Sequence, residues 1–146
     1  MTKSTFVYVT FIKTTPEQLW TALTVPDFTK QYWFGMRHET DWKAGSAWRL
    51  VFPDGRVADT GEVVETEPPK RLVLRWRNEF KPELKAEGYS LCTFELEAMG
   101  AAVKLTISHA LDRPDSKFIE AVSGGWPRIL SNLKSLLETG SIALTT

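Results

Sequence analysis

Two histidines, one cysteine and a few acids and tyrosines are the residues of this sequence that could do chemistry. His109 falls on the inward face of a predicted strand, where a neutral imidazole could orient a polar ligand group or act as a base. The same position suits a hydrogen-bonded structural histidine, which is the interpretation we favour. If the protein were an enzyme, Asp59, Tyr8 and Tyr89 would be the candidates to assist His109.

The second histidine and the cysteine are weaker candidates for chemistry than His109. His38 lies in the segment Met36-Arg37-His38-Glu39 and is predicted to be a surface strand residue. The two histidines are far apart and lack a neighbouring ligand pattern, so we expect no metal. Cys92 alternates inward with Phe94 and has no activating base close in sequence, which predicts a small buried apolar side chain. Without a glycine-rich phosphate loop or a Gly-x-Ser-x-Gly motif, nucleotide hydrolysis is not supported, and we expect no cofactor.

The elements that position these residues follow from hydrophobic periodicity. A β-branched and aromatic run over residues 5–12 predicts a strand, and Thr15-Pro16-Glu17-Gln18 is typical of a capped helix start. Pro26-Asp27 ends that helix and can open a second short one. Between residues 47 and 109, alternating apolar residues separated by turns predict an antiparallel meander with one buried face.

In the C-terminal part of the chain, the spacing of apolar residues changes from that of a strand to that of a helix. Apolar residues at steps of three and four from Phe118 to Leu137 predict a long helix that covers the sheet. Gly124-Gly125 and Pro127 are costly inside a helix, so we expect a kink or a late start there. The order of elements predicts an α+β fold, in which a curved antiparallel sheet of about six to seven strands wraps around the long helix. We expect residues 1–146 to form one domain.

Composition restricts the partners. Eighteen Lys and Arg balance eighteen Asp and Glu, so no strong overall field would attract nucleic acid or an anionic membrane. We therefore expect neither partner. The start lacks an apolar run typical of a secretory signal, and with one cysteine we expect a cytoplasmic protein. Aromatic residues are numerous, with 6 Trp, 8 Phe and 3 Tyr. Either the core is bulky or the protein surrounds something apolar.

Five segments, in this order and spacing, resemble a known family: Thr15-Pro16-Glu17-Gln18-Leu19-Trp20, Trp33-Phe34, Pro68-Pro69-Lys70-Arg71-Leu72, Gly125-Trp126-Pro127-Arg128-Ile129-Leu130 and Leu133-Lys134-Ser135-Leu136-Leu137-Glu138. The sequence resembles the AHSA group, named for homology to the C-terminal domain of the heat-shock-protein-90 ATPase activator. That group belongs to the START-like (SRPBCC, Bet v-like) superfamily with the helix-grip fold. The resemblance covers roughly Phe6 to Glu138. It implies a hydrophobic cavity between sheet and long helix, which the superfamily uses for lipids, polyketides, hormones and other apolar ligands. It does not imply one activity.

If that cavity exists, its walls are the inward sheet residues, the aromatic pair after the second helix and the stripe of the long helix. We predict twelve ligand-binding residues on this basis: Trp33, Phe34, Trp48, Leu50, Phe52, Leu74, Trp76, Phe94, His109, Trp126, Ile129 and Leu130. The alternative is that the same side chains fill a closed core.

Three functions follow as hypotheses. The first is binding of a small apolar molecule such as a lipid or a polyketide, with no catalytic residues. The second is a protein-interaction role, such as modulating a chaperone of the heat-shock-protein-90 type, although this chain holds only one domain and its net charge of zero gives no strong docking field. The third is a cyclase-like or aromatase-like enzyme, which we favour less. A monomer and a homodimer are both compatible with the sequence.

Overall fold

The computed structural model describes residues 3–146, which form a seven-stranded sheet and four helices. The elements, in chain order, are β1 Ser4–Ile12, α1 Pro16–Thr24, α2 Pro26–Tyr32, β2 Arg37–Glu39, β3 Ala47–Val51, β4 Val57–Glu67, β5 Arg71–Asn78, α3 Pro82–Lys85, β6 Ser90–Met99, β7 Ala102–Leu111 and α4 Lys117–Thr139. Every neighbouring pair of strands is antiparallel, in the order β1-β7-β6-β5-β4-β3-β2. The α+β helix-grip architecture expected from the sequence is confirmed.

The two short helices begin where the sequence indicates. Thr15 accepts a hydrogen bond from the Gln18 amide through its hydroxyl oxygen at 3.2 Å, and Pro16 occupies the first helical position. Pro26 opens α2 in the same way. Neither helix is long enough to be stable alone, so their buried side chains attach them to the core.

The long helix α4 is continuous, and the expectation of a late start is wrong. It begins after Ser116, whose hydroxyl oxygen accepts from the Ile119 amide at 3.1 Å, and it ends at Gly140 with a left-handed φ of 87°. Phe118 and Trp126 bury their rings on both sides of Gly124-Gly125. Each such burial contributes about 1.5–3 kcal/mol, which outweighs the cost of about 0.5–1 kcal/mol for a helical glycine.

Gly61 allows two bulky rings to meet on the inner face of the sheet. It pairs with Trp48 on β3 and with Trp76 on β5, and the two indole centroids lie 4.5 Å apart. A Cβ atom at Gly61 would lie 1.7 Å from the carbonyl oxygen of Arg75. Since no side chain fits there, this position requires glycine.

The core lies between the inner face of the sheet and α4. Cys92 is fully buried in it, as expected, and burial raises the pKa of its thiol. None of the described helices combines the length and the apolar character needed to cross a membrane.

Candidate ligand cavity

A cavity of about 240 Å³ lies between the sheet and α4, at the end of the molecule where α3 follows β5. Aromatic and aliphatic side chains form most of its wall. The lining residues are Trp33, Met36, Leu50, Phe52, Ala58, Asp59, Trp76, Asn78, Phe80, Lys81, Leu84, Phe118, Ala121, Val122, Gly125, Trp126 and Ile129.

Three tryptophans from three different elements form one wall. Trp33 follows α2, Trp76 lies on β5 and Trp126 on α4. Their ring centroids are 6.2 Å apart for Trp33 and Trp76, 5.3 Å for Trp33 and Trp126, and 5.8 Å for Trp76 and Trp126. These spacings are those of favourable aromatic pairs, so the rings fill part of the space and leave a smaller cavity beside them.

Two polar side chains lie together in this apolar wall. Asp59 on β4 and Asn78 on β5 are direct partners in the strand register, and only 6% and 5% of their surfaces are exposed. The Asn78 side-chain oxygen accepts a hydrogen bond from the Lys81 amide at 2.9 Å, at the start of the segment that leads into α3. Its amide nitrogen has no acceptor among residues 3–146. We call these two residues the polar pair.

Burial makes the Asp59 carboxyl a weaker acid than an ordinary aspartate side chain. Loss of hydration raises the pKa of Asp59 from 3.8 to about 7. The polar edge of the neighbouring Trp76 side chain opposes this change in pKa, while the nearby negative charge of Glu79 adds to it. Near neutral pH the carboxyl therefore exchanges between its charged and neutral forms, and it can accept or donate a hydrogen bond.

His109 is buried outside the cavity, and both of its ring nitrogens have partners. The Trp126 indole nitrogen donates to Nδ1 at 3.1 Å, and Nε2 lies 2.8 Å from the Ser90 hydroxyl. Because Nδ1 accepts, Nε2 carries the proton and donates to Ser90, whose hydroxyl donates in turn to the Trp76 carbonyl oxygen at 2.9 Å. Burial lowers the pKa of His109 to about 3. The arrangement is that of a neutral structural histidine.

His38 is also buried, and its prediction as a surface residue is wrong. Its Nδ1 accepts from the Trp48 indole nitrogen at 2.9 Å, and its ring packs edge-on against Trp33 and Trp42 at centroid distances of 4.9 and 5.3 Å. Burial lowers the pKa of His38 to about 3. The three-residue strand β2 is too short for its alternation to be recognised from the sequence, which explains the error.

Six of the twelve predicted wall residues line the cavity: Trp33, Leu50, Phe52, Trp76, Trp126 and Ile129. The other six are placed elsewhere and are not wall residues: Phe34, Trp48, Leu74, Phe94, His109 and Leu130. Phe34 has a left-handed φ of 52° and is exposed, with the Arg128 guanidinium 5.9 Å from its ring centroid. The remaining five are buried where the interface of sheet and helix is filled by side chains.

The sequence reasoning missed the end of the cavity formed by β5 and α3. Asn78, Phe80, Lys81 and Leu84 all line it, and none of them is among the twelve predicted wall residues. Pro82 at the first helical position, followed by Glu83, is a helix-start signal that could have indicated α3.

Glu87 attaches this end of the cavity to the start of α4. Its carboxylate accepts from the Ser116 hydroxyl at 2.6 Å and from the amides of Lys117 and Phe118 at 2.9 and 3.2 Å. The free amides of a helix N-terminus favour a negative charge, and these bonds lower the pKa of Glu87 against the effect of its partial burial. The segment containing α3 is thereby held against the helix that lines the opposite wall.

The other groups considered for chemistry lie away from the cavity. Tyr8 is partly buried on β1, Tyr89 is exposed, and neither lines it. Within residues 3–146, no group of three or more His, Cys, Asp or Glu side chains could hold a metal ion. Asp59 is the one member of the suggested catalytic set that lines the cavity.

Known proteins resemble this chain in sequence and in fold. The family model described as Activator of Hsp90 ATPase homolog 1-like protein matches residues 13–138. No curated protein matches the sequence. Protein MLL2253 from Mesorhizobium loti is 26% identical, with a TM-score of 0.80, over 95% of this chain and 100% of that chain.

Two further solved structures share the fold at lower identity. PFC0360w, an HSP90 activator from Plasmodium falciparum, is 24% identical with a TM-score of 0.73, over 91% of this chain and 95% of that chain. DynU16, a protein in the dynemicin biosynthetic locus, is 23% identical with a TM-score of 0.75, over 94% of this chain and 48% of that chain.

Proposed function

The chain belongs to the family of Activator of Hsp90 ATPase homolog 1-like proteins, and we propose that it binds a small apolar molecule in the cavity between its sheet and α4. The observation that carries the proposal is the cavity of about 240 Å³, whose wall is mostly apolar and contains one buried polar pair. Ligand sites usually combine an apolar wall with a few polar groups that fix orientation.

The size of the cavity restricts the ligand. An apolar cavity of about 150 Å³ holds benzene, and pockets for drug-sized molecules measure about 300–1,000 Å³. A volume of 240 Å³ lies between them. The expected ligand is therefore a molecule of one or two rings or a short branched chain, and a full-length lipid does not fit without rearrangement of the wall.

The wall also indicates the source of affinity. Removing apolar ligand surface from water contributes about 25 cal/mol per Å². Trp33, Trp76 and Trp126 present large rings that can pack against a flat ligand. We therefore expect flat aromatic molecules to bind more tightly than flexible chains of the same volume.

Titration of ¹⁵N-labelled protein with naphthalene, followed through the tryptophan indole signals, tests the proposal. We expect the Trp33, Trp76 and Trp126 signals to shift, since these rings line the cavity. The Trp42 signal is the internal control, because its indole nitrogen donates to the Thr24 carbonyl oxygen and Trp42 does not line the cavity. Absence of any saturable shift with naphthalene and a panel of one-ring and two-ring aromatics would refute ligand binding.

Modulation of an Hsp90-type chaperone is a second candidate, favoured by an apolar row on the outer face of β1. Val7, Val9 and Phe11 are 54%, 44% and 49% exposed on this edge strand. The similarity to an HSP90 activator supports the same candidate. The test is the ATPase rate of an Hsp90 protein with wild type, with Val9→Lys and with the control Thr5→Lys, which also lies on the exposed face. A stimulation of the ATPase rate that is lost in Val9→Lys and kept in Thr5→Lys would support this role. Absence of stimulation by the wild-type protein would exclude it.

The geometry does not favour the third hypothesis in the form suggested by the sequence. A cyclase-like or aromatase-like role for His109 requires contact with the bound molecule, whereas His109 lies outside the cavity wall with both nitrogens bonded.

A further inference from the structure

We propose that the polar pair Asp59 and Asn78 makes the cavity selective for a hydroxyl-bearing aromatic molecule, of the phenol or naphthol class. The ligand hydroxyl would donate a hydrogen bond to the Asp59 carboxylate and accept a hydrogen bond from the Asn78 side-chain amide. This inference rests on the proposed function, because it names the class of ligand that the same cavity takes.

The first argument is the position of the two side chains. Asp59 and Asn78 are opposite each other on adjacent strands, and both line the cavity. Directly paired residues of antiparallel strands have Cβ atoms about 4.5–5.5 Å apart, so one small group can contact both side chains. A hydroxyl is small enough and both donates and accepts.

The second argument is which hydrogen-bonding atoms remain free. The Asn78 oxygen is occupied by the Lys81 amide, so the asparagine can offer only its amide N–H to a ligand. The Asp59 carboxyl takes part in none of the side-chain hydrogen bonds within the described residues, so its oxygens keep their acceptor capacity for a ligand. These free atoms are accessible from the cavity, since Thr66 Oγ1 is the buried side-chain atom without a partner among the described residues. An apolar ligand would cover them and leave them unpaired, so a ligand that supplies both partners is favoured over one that supplies none.

The third argument is charge. A ligand carboxylate would meet the Asp59 carboxylate in a poorly hydrated site, which is repulsive. A ligand ammonium would be attracted to the Asp59 carboxylate, but it offers no acceptor to the Asn78 amide N–H, and it would lose its water close to the positively charged Lys81 at the edge of the cavity. A neutral hydroxyl avoids both costs, and the remaining wall accepts an aromatic ring.

A matched set of ligands tests the inference on the wild-type protein. Naphthalene, 2-naphthol, 2-methoxynaphthalene, 2-naphthoate and 2-naphthylmethylammonium share one ring system and differ at one substituent. By NMR titration at pH 8, we expect 2-naphthol to bind about tenfold more tightly than 2-methoxynaphthalene, since only the naphthol can donate to Asp59. We expect 2-naphthoate to bind more weakly than naphthalene.

Substitution of Asp59 tests whether the polar pair causes the selectivity for the hydroxyl group. In Asp59→Asn we expect the affinity ratio of 2-naphthol to 2-methoxynaphthalene to fall to within about twofold, because the charged acceptor is gone. Asp54→Asn, which changes an exposed acid in the turn after β3, is the matched control and should keep the wild-type ratio. A ratio within one protein cancels any general change in cavity shape.

The outcomes separate the two proposals. If no member of the set binds, the proposed function fails. If naphthalene binds and 2-naphthol is no tighter than 2-methoxynaphthalene, ligand binding stands and the hydroxyl selectivity is overturned. Tighter binding of 2-naphthoate, or of 2-naphthylmethylammonium, than of 2-naphthol would also overturn it, because an ionic contact would then dominate. A wild-type ratio retained by Asp59→Asn would remove Asp59 from the interaction.

Discussion

The Trp126 indole nitrogen donates a 3.1 Å hydrogen bond to Nδ1 of His109, which joins the middle of α4 to β7. The connection continues from His109 to the Ser90 hydroxyl on β6 and from there to the Trp76 carbonyl oxygen on β5. One chain of hydrogen bonds thus ties the helix to three strands behind the cavity wall. The polar groups available to a ligand are instead the Asp59 carboxyl and the Asn78 amide N–H, which line the cavity.

Removing the His109 ring should destabilise the protein. His109→Ala leaves the buried Trp126 N–H without an acceptor, removes the donor to the Ser90 hydroxyl oxygen and opens a void in the core. We expect a loss of about 3–5 kcal/mol in the free energy of unfolding, measured with urea. His109→Gln, which can restore one of the two bonds, should lose less. Equal stability of His109→Ala and wild type would contradict the structural role.

Acid should destabilise the protein through its two buried histidines. His38 and His109 have pKa values of about 3 when folded and 6.5 as ordinary histidines. The unfolded chain therefore binds protons first, and stability present above pH 6.5 is lost as the pH falls towards 3. Each histidine can contribute a slope of up to about 1.4 kcal/mol per pH unit.

The variant His38→Asn isolates one of these contributions. The asparagine oxygen can replace Nδ1 as acceptor for the Trp48 indole without titrating. Between pH 6.5 and 5, we expect the fall in unfolding free energy to be smaller than in wild type by about 1.5 kcal/mol, which is the share of one histidine. The opposing contribution of Asp59 is the same in both proteins and cancels in the comparison. If the unfolding free energies of the two proteins change in parallel with pH, then His38 is exposed to protonation in the folded state.

Asp59 should have the opposite effect on stability. Its pKa is about 7 when folded and 3.8 as an ordinary carboxyl, so the folded protein holds the proton more tightly. Stability is then lost as the pH rises from 3.8 to 7, by up to about 4 kcal/mol. Glu79 adds repulsion, whereas Lys81 at the cavity edge is positive.

Asp59→Asn should therefore be more stable than wild type at pH 8, and the difference should disappear near pH 4. Urea unfolding at the two pH values measures this change directly. Asp54→Asn, at an exposed acid, should not show a gain that grows with pH. A constant difference between Asp59→Asn and wild type at all pH values would mean that the carboxyl is not desolvated.

Much of the fold could be predicted from the sequence because it depends on local signals. The cap at Thr15 and the apolar stripe after Phe118 are readable without tertiary information. The burial of His38 and the exposure of Phe34 depend instead on how α2 ends and on the short strand β2, where no periodicity exists to read.

The cavity was predictable in part for a similar reason. Trp76 and Trp126 were identified by alternation and helical spacing, which show which face is buried. Alternation cannot show whether a buried side chain faces empty space or another side chain, so Trp48 and Leu74 were assigned to the wall although they fill the core. Asn78 was missed because its role depends on the turn into α3.

Two adjacent glycines of α4 provide a matched test of the cavity as the ligand site. Gly125 lines the cavity and Gly124 does not, and a Cβ at either position meets no atom within 4 Å. Leucine at either position should raise the unfolding free energy by about 0.5–1 kcal/mol, since a helical glycine is replaced by a strong helix former.

The two variants should differ in binding. The Gly125→Leu side chain would enter the space that the ligand needs, and we expect its naphthalene affinity to fall at least tenfold relative to Gly124→Leu, as measured by the same indole titration. Because both proteins gain helix propensity, a change in fold stability cannot account for this difference. Equal affinities would place the bound molecule outside the cavity and would leave the apolar row of β1, around Val9, as the alternative contact surface.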